Sequence, residues 1–267
     1  MTAFVEIPGS VAIVSGAGSG IGRASAHSLA KRGASVVVTD VNGERAESVA
    51  GEITAVGGAA IWAQCDVTDG DAIERVRDLA LHELGHLEIV MNNVGVLAMG
   101  PPETLPFELW QRIIEINLLS VVRSNLVYLP HLLAQGRGHV VNTASASGLL
   151  AHGFDRLPYV TTKHAVVGMT ESLALYLRPR GIGVTCLCPS GVVTNIVEQI
   201  TFFGEPATPR SPDHPVVEAE VVGELVADAI ETGRFLVLTA TEVQDEVVAR
   251  ARDIDAYIDS YTQGDPA

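Results

Sequence analysis

Short runs of consecutive apolar residues alternate along this chain with stretches where apolar positions recur every three or four residues. The runs at 11–16 (VAIVSG), 35–40 (SVVVTD), 59–66 (AAIWAQCD), 87–93 (LEIVMNN), 138–145 (GHVVNTAS), 183–189 (GVTCLCP) and 234–239 (RFLVLT) predict seven strands. Helical periodicity covers 21–32, the stretch up to about 56, and 69–84, 106–134 and 158–178; the long 106–134 helix is expected to break near Ser120 or Pro130. Wholly apolar strands joined by helices predict an α/β fold, a parallel sheet covered on both faces. Right-handed crossovers make it doubly wound. The alternation fails at 195–218, where Pro206, Pro209, Pro212 and Pro215 forbid a continuous helix. The last strand follows at once, so this segment is expected to be a lid over a site within one domain of 267 residues.

Charge narrows the partners. The net charge of −15 argues against nucleic acid and anionic membranes, which reward clustered Lys and Arg. A small molecule remains. No basic segment followed by an apolar one opens the chain, and no uninterrupted apolar run approaches ~18 residues, so neither a signal peptide nor a membrane span is expected. Cys65, Cys186 and Cys188 have no disulfide-like spacing and read as core residues of a cytoplasmic protein.

The first strand runs into SGAGSGIG (15–22). Gly16 permits a tight turn, Gly20 lets a pyrophosphate approach the backbone, and Gly22 lets helix and strand pack closely. Ser19 and Ile21 complete the turn, and free N–H groups at the helix start suit phosphate. Asp40 ends the second strand, 20 residues after Gly20, where a carboxylate accepts the ribose hydroxyls of an adenosine. It repels a 2′-phosphate, and neither Ser19 nor Val41 carries a positive charge to receive one, so the cofactor expected is NAD rather than NADP. Asp66, with Val67 beside it, either accepts the adenine amino group or caps the next turn.

Tyr159 and Lys163 stand one helical turn apart in LPYVTTKHAV. Such a pair is either a solvated helix face or an acid/base couple, in which the ammonium stabilises the phenolate and brings down a phenol whose ordinary pKa is ~10.

The ordered set SGAGSGIG, TD (39–40), CDV (65–67), NNVG (92–95), INLLS (116–120), VNTAS (141–145), YVTTK (159–163) and CPSGVVT (188–194) closely resembles the short-chain dehydrogenase/reductase family. The resemblance implies a single Rossmann-type domain, a nicotinamide cofactor, and a catalytic set of Asn117, Ser145, Tyr159 and Lys163. It places Asn93, Val94, Gly95, Tyr159, Lys163, Pro189, Ser190, Val192 and Thr194 against the cofactor. It also implies a homodimer or homotetramer formed through the helices at about 106–134 and 158–178. Val94 replaces the family's usual alanine and Ser190 its usual glycine. The segment from Ser145 to Tyr159 is longer than is common in the family. Leu97, Met99, His152, Phe154 and Phe203 are expected to line an apolar substrate pocket, with His152 either shaping it or serving as a second base. The activity expected is NAD-dependent interconversion of a secondary alcohol and a ketone. The rivals are an NADP-linked 3-oxoacyl-thioester reductase and a non-catalytic dinucleotide sensor.

Overall fold

The computed structural model describes residues 3–194, 200–205 and 214–262. In chain order the strands are β1 (Val11–Ser15), β2 (Ser35–Asp40), β3 (Ala59–Gln64), β4 (Ile89–Asn92), β5 (Ala98–Met99), β6 (Gly138–Thr143), β7 (Ile182–Cys188), β8 (Val192–Val193), β9 (Thr201–Phe202), β10 (Val217–Glu218) and β11 (Leu236–Leu238). The α-helices are α1 (Gly20–Lys31), α2 (Gly43–Ala55), α3 (Gly70–Leu84), α4 (Phe107–Ile114), α5 (Ser120–Gln135), α6 (Leu157–Leu177), α7 (Ala219–Thr232), α8 (Glu242–Arg252) and α9 (Ile254–Thr262). Seven strands form one parallel sheet in the order β11-β7-β6-β4-β1-β2-β3. This is the Rossmann-type doubly wound sheet expected from the chain's pattern.

The strand alternation divides two cores. Ala12 and Val14 of β1 face Leu29 of α1, Ile53 of α2 and Val226 of α7. Val11 and Ile13 face the other way, with Val76 of α3, Leu132 of α5 and Leu177 of α6. With both faces covered, the strands carry apolar residues at consecutive positions, which is why they read as unbroken apolar runs. Chain order reverses between β1 and β4, and in open sheets of this kind the crevice at the strands' carboxyl ends there is the ligand site.

Three features differ from expectation. The 106–134 helix does not break. It widens into a π-helical turn at Glu115–Leu119 and continues through Pro130 in α5. Pro130 is exposed, and so is Leu126, whose carbonyl it leaves without a helical donor, so the lost bond falls on the solvent side of the helix. The uninterrupted run Phe107–Gln135 is consequently long and apolar enough, by length and composition, to cross a membrane, although here it packs on α3 and α6. Second, two-residue strands pair β5 with β9 and β8 with β10, too short to leave a pattern in the sequence. Third, α8 and α9 follow the last strand, and Val243, Val247 and Tyr257 pack them against Ala146 and Leu150 beyond β6. Of the expected lid, 195–199 and 206–213 lie outside the described residues, and its described parts are anchored by β9 and β10.

Candidate active site

A cleft of about 1090 Å³ opens at the carboxyl ends of the strands. Its floor begins at the glycine turn. Gly16 and Gly20 adopt φ of 63° and 51°, backbone that side chains rarely tolerate. A Cβ on Gly22 would stand 2.2 Å from the Gly16 carbonyl oxygen, so close approach of α1 to β1 needs glycine there. Gly22→Ala is therefore expected to destabilise the fold by about 3 kcal/mol, the upper end for over-packing, read as a fall in denaturation midpoint. Ser19 stands at the N-cap of α1 but its side chain makes no capping bond, leaving the helix's first N–H groups to a ligand.

Asp40 is oriented by backbone. Gly18 N–H donates to its Oδ2 (3.1 Å) and Asn42 N–H to its Oδ1 (2.9 Å). The carboxylate lines the cleft with lone pairs to spare. Asp66 fulfils the capping reading while also lining the cleft: Thr68 donates to its Oδ1 through both N–H (2.9 Å) and Oγ1 (2.8 Å). Val67 adjoins it.

Deeper in, Ser15 Oγ accepts from Asn93 N–H (3.1 Å) and donates to the Met91 carbonyl (3.1 Å), joining β1 to the NNVG segment. Thr143 Oγ1 donates to Asn93 Oδ1 (3.1 Å). The two departures from the family pattern are both accommodated. Val94 Cγ2 lies 3.1 Å from where a Gly16 Cβ would be, so the valine fills space the glycine leaves. Ser190 is tied to the end of β11, with its N–H 2.9 Å and its Oγ 2.8 Å from Thr239 Oγ1.

Tyr159 and Lys163 lie on the face of α6 turned to the cleft. Buried Lys163, Val166, Thr170, Ala174 and Leu177 continue that inward stripe along the helix. Lys163 Nζ donates to the Thr143 carbonyl (2.8 Å) and stands 5.6 Å from the centroid of the Tyr159 ring. Burial lowers the Lys163 pKa to about 8. Burial raises that of the Tyr159 phenol, opposed first by a hydrogen bond from Ser145 and then by the Arg156 charge. Ser145 follows β6. Its Oγ accepts from Ser147 N–H (3.1 Å) and lies 3.4 Å from the Pro189 carbonyl.

Asn117 sits behind the cleft at the centre of the π-turn, 1% exposed. Its Oδ1 accepts from Val96 N–H (2.8 Å), and its Nδ2 donates to the Val96 carbonyl (3.0 Å) and towards Thr162 Oγ1 (3.4 Å). A buried amide is costly unless bonded, and here it pins the Val94–Leu97 segment to α6. The helix widens by one residue where it delivers this side chain, a placement common at functional sites.

The cleft thus gathers Gly16, Ser19, Gly20, Ile21, Asp40, Asp66, Val67, Asn93, Val94, Gly95, Ser145, Tyr159, Lys163, Pro189, Ser190, Val192 and Thr194. Of the expected substrate residues it includes Leu97 and His152. Met99, Phe154 and Phe203 are not among its lining residues. Met99 is spent in β5, where its carbonyl accepts from Phe203 N–H (2.8 Å), so both belong to the rim ribbon. Phe154 is 46% exposed on a 3₁₀ turn. Sequence reasoning missed Arg45, Arg112, Arg156 and His214, which also line the cleft.

The dinucleotide reading passes a direct test on these residues. A positive-φ glycine turn with uncapped helix donors, an oriented carboxylate 22 residues from Gly18, and a cleft of this volume suit phosphates, a ribose and two rings.

Comparison with known proteins bears on the same residues. The family model for short chain dehydrogenases matches residues 10–202. Cyclohexanol dehydrogenase of Acinetobacter sp. (strain SE19) is 37% identical over 191 residues, 71% of this chain and 75% of that protein. The 1-deoxy-11-beta-hydroxypentalenate dehydrogenase of Streptomyces exfoliatus is 35% identical over 237 residues, 87% of this chain and 84% of that one. Among solved structures, a short chain dehydrogenase/reductase from Burkholderia phymatum in complex with NAD superposes with a TM-score of 0.85 at 30% identity, covering 98% of this chain and 99% of that one. With the glycine turn, the reversal between β1 and β4, and the Ser145–Tyr159–Lys163 grouping already in place, this chain belongs to the short-chain dehydrogenase/reductase family.

Proposed function

We propose that this chain is an NAD-dependent dehydrogenase that interconverts a cyclic secondary alcohol and its ketone. The observation that carries the reading is the convergence of Ser145, Tyr159 and Lys163 at one end of a cleft whose other end holds Asp40. The glycine turn and the N-terminus of α1 would hold the pyrophosphate of NAD, Asp40 the adenosine ribose, and Lys163 the nicotinamide ribose. When bound, the nicotinamide supplies the hydride acceptor or donor that no side chain provides. Tyr159 takes the hydroxyl proton in oxidation and returns it in reduction. In the free site the Ser145 hydroxyl bonds the phenol and favours the phenolate; once substrate is bound, that single O–H turns to the substrate oxygen. Lys163 adds its ammonium charge beside the tyrosine ring. Asn117 fixes the Val94–Leu97 wall and is read as the anchor of a proton relay through Lys163.

The relatives' names support the substrate class, since cyclohexanol is a cyclic secondary alcohol. Val96, Leu97, Ile116 and Val216 give the substrate end an apolar lining that suits such a ring. A panel of cyclic and acyclic secondary alcohols, offered with NAD⁺ and with NADP⁺ and read at the absorbance of the reduced nicotinamide, tests the reading. Turnover of cyclic alcohols with NAD⁺ supports it. Turnover confined to NADP⁺ and acyl-thioester substrates favours the rival reductase.

We read residues 1–267 as one domain with 195–218 as its substrate lid, and the protein as cytoplasmic, which suits three free and buried cysteines. We also read it as a homodimer or homotetramer. Phe107 and Leu126 on the α4–α5 run and Leu175 and Tyr176 on α6 are exposed by 70%, 72%, 79% and 49%, apolar side chains that a partner copy docked on these helices would cover. Leu126→Glu with Leu175→Glu is expected to convert the assembly to monomers, measured by light scattering on a sizing column. A wild-type monomer contradicts this.

A further inference from the structure

Away from the reacting groups, three polar side chains meet at the substrate end of the cleft. His152 comes from the loop after β6, His214 from just before β10, and Glu246 from α8. His152 Nε2 lies 2.8 Å from Glu246 Oε2, and His214 Nε2 lies 2.8 Å from Glu246 Oε1. All three donor atoms fall within 4.8 Å of one another. Both imidazoles are 5% exposed and the carboxylate 29%. The rings stand edge to face, 5.5 Å apart. Neither histidine is needed by the proton transfer, which Tyr159 and Ser145 complete.

We propose that His152, His214 and Glu246 form a zinc(II) site that ties the mouth of the cleft together. Two imidazole nitrogens and one carboxylate oxygen are a donor set zinc favours, with a fourth tetrahedral position left for water. Donors about 2.0–2.1 Å from a tetrahedral zinc are about 3.3 Å apart. The two N···O contacts, each 2.8 Å to a different oxygen of Glu246, must open by about half an ångström, and the two nitrogens, within 4.8 Å of each other, must turn towards one point between them. Proton accounting is simple. Each neutral ring that now donates Nε2–H to the carboxylate moves that proton to Nδ1, and the freed Nε2 lone pair binds the metal.

The surroundings are built to hold the ligands. Tyr261 of α9 packs on the His152 ring at 5.5 Å, Tyr257 packs on Tyr261 at 5.1 Å, and Tyr257 Oη donates to the Ala151 carbonyl at 3.2 Å. The residue before His152 is thereby fixed by the C-terminal helix. The nearby Arg156 cation is offset by Asp155, which accepts from its Nε at 2.9 Å. A purely hydrogen-bonded His–Glu–His cluster would explain the contacts as well, but it makes no claim on metal. The site is independent of the proposed dehydrogenase activity, because zinc uptake is read without substrate.

The test is titration of chelator-stripped full-length protein with zinc chloride, followed by equilibrium dialysis with metal analysis and by X-ray absorption of the zinc complex. The expected result is one zinc per chain at micromolar free zinc, with imidazole scattering and no sulfur ligand. Glu246→Gln and His214→Gln are each expected to weaken uptake about 100-fold or more while NAD⁺ still binds. Uptake below one equivalent, a sulfur ligand, or undiminished uptake in both folded variants overturns the proposal. If either variant fails to bind NAD⁺, the absorption spectrum of the wild-type complex decides.

Discussion

Tyr159→Phe is expected to lower turnover by about 10³-fold or more while NAD⁺ binding changes by no more than a few-fold. The substitution removes one oxygen and keeps the ring on which Lys163 lies, at 5.6 Å from its centroid. Oxidising a secondary alcohol requires removal of the hydroxyl proton as well as the hydride, and a positioned acid/base contributes about 10²- to 10⁴-fold. Among the described residues, the titratable groups around the tyrosine are engaged elsewhere. His152 bonds to Glu246, Lys163 donates to the Thr143 carbonyl, and Arg156 is paired with Asp155. The loss therefore belongs to the upper part of that range. Steady-state kinetics together with quenching of intrinsic fluorescence by the cofactor separate the two effects. A chain serving only as a dinucleotide sensor has no turnover to lose.

Ser145→Ala is expected to cost about 10²- to 10³-fold in kcat, the scale of losing one donor to a developing oxyanion. It also carries a pH signature that a structural defect lacks. The Ser145 hydrogen bond pulls down the phenol pKa that burial raises. Removing the bond makes the phenolate harder to form. Alcohol oxidation needs the phenolate, so its rate rises as pH passes the phenol's apparent pKa, and in the variant that limb moves to higher pH. Ketone reduction needs the protonated phenol, and its alkaline limb moves in the same direction. Profiles that fall in height without shifting contradict the proposed link between Ser145 and Tyr159.

Much of this architecture was legible in the residues because the sheet is buried on both faces. Strands that meet helices on either side, as β1 does through Val11 and Ile13 on one face and Ala12 and Val14 on the other, must be apolar throughout. The glycine turn and the i, i+4 spacing of Tyr159 and Lys163 are local, so they could be read directly. Pro130 misled because its cost depends on exposure, which the sequence does not state. The π-turn around Asn117 left no periodic trace. The cleft's remaining lining is non-local: Arg45, Arg112, Arg156 and His214 come from four separate segments, and only the fold brings them together. A partial signal existed for the C-terminal cap. Val243 and Val247, then Tyr257 and Tyr261, stand four residues apart, and these pairs are the inward faces of α8 and α9.

The most direct test of the account is a crystal structure of the chain with NADH and a cyclic secondary alcohol, two reduced partners between which no hydride can pass. The account predicts the adenosine ribose on Asp40, the nicotinamide ribose on Lys163, and the substrate oxygen within about 3 Å of both Tyr159 Oη and Ser145 Oγ. A substrate oxygen bound away from both hydroxyls, or a cofactor whose ribose leaves Asp40 untouched, contradicts it.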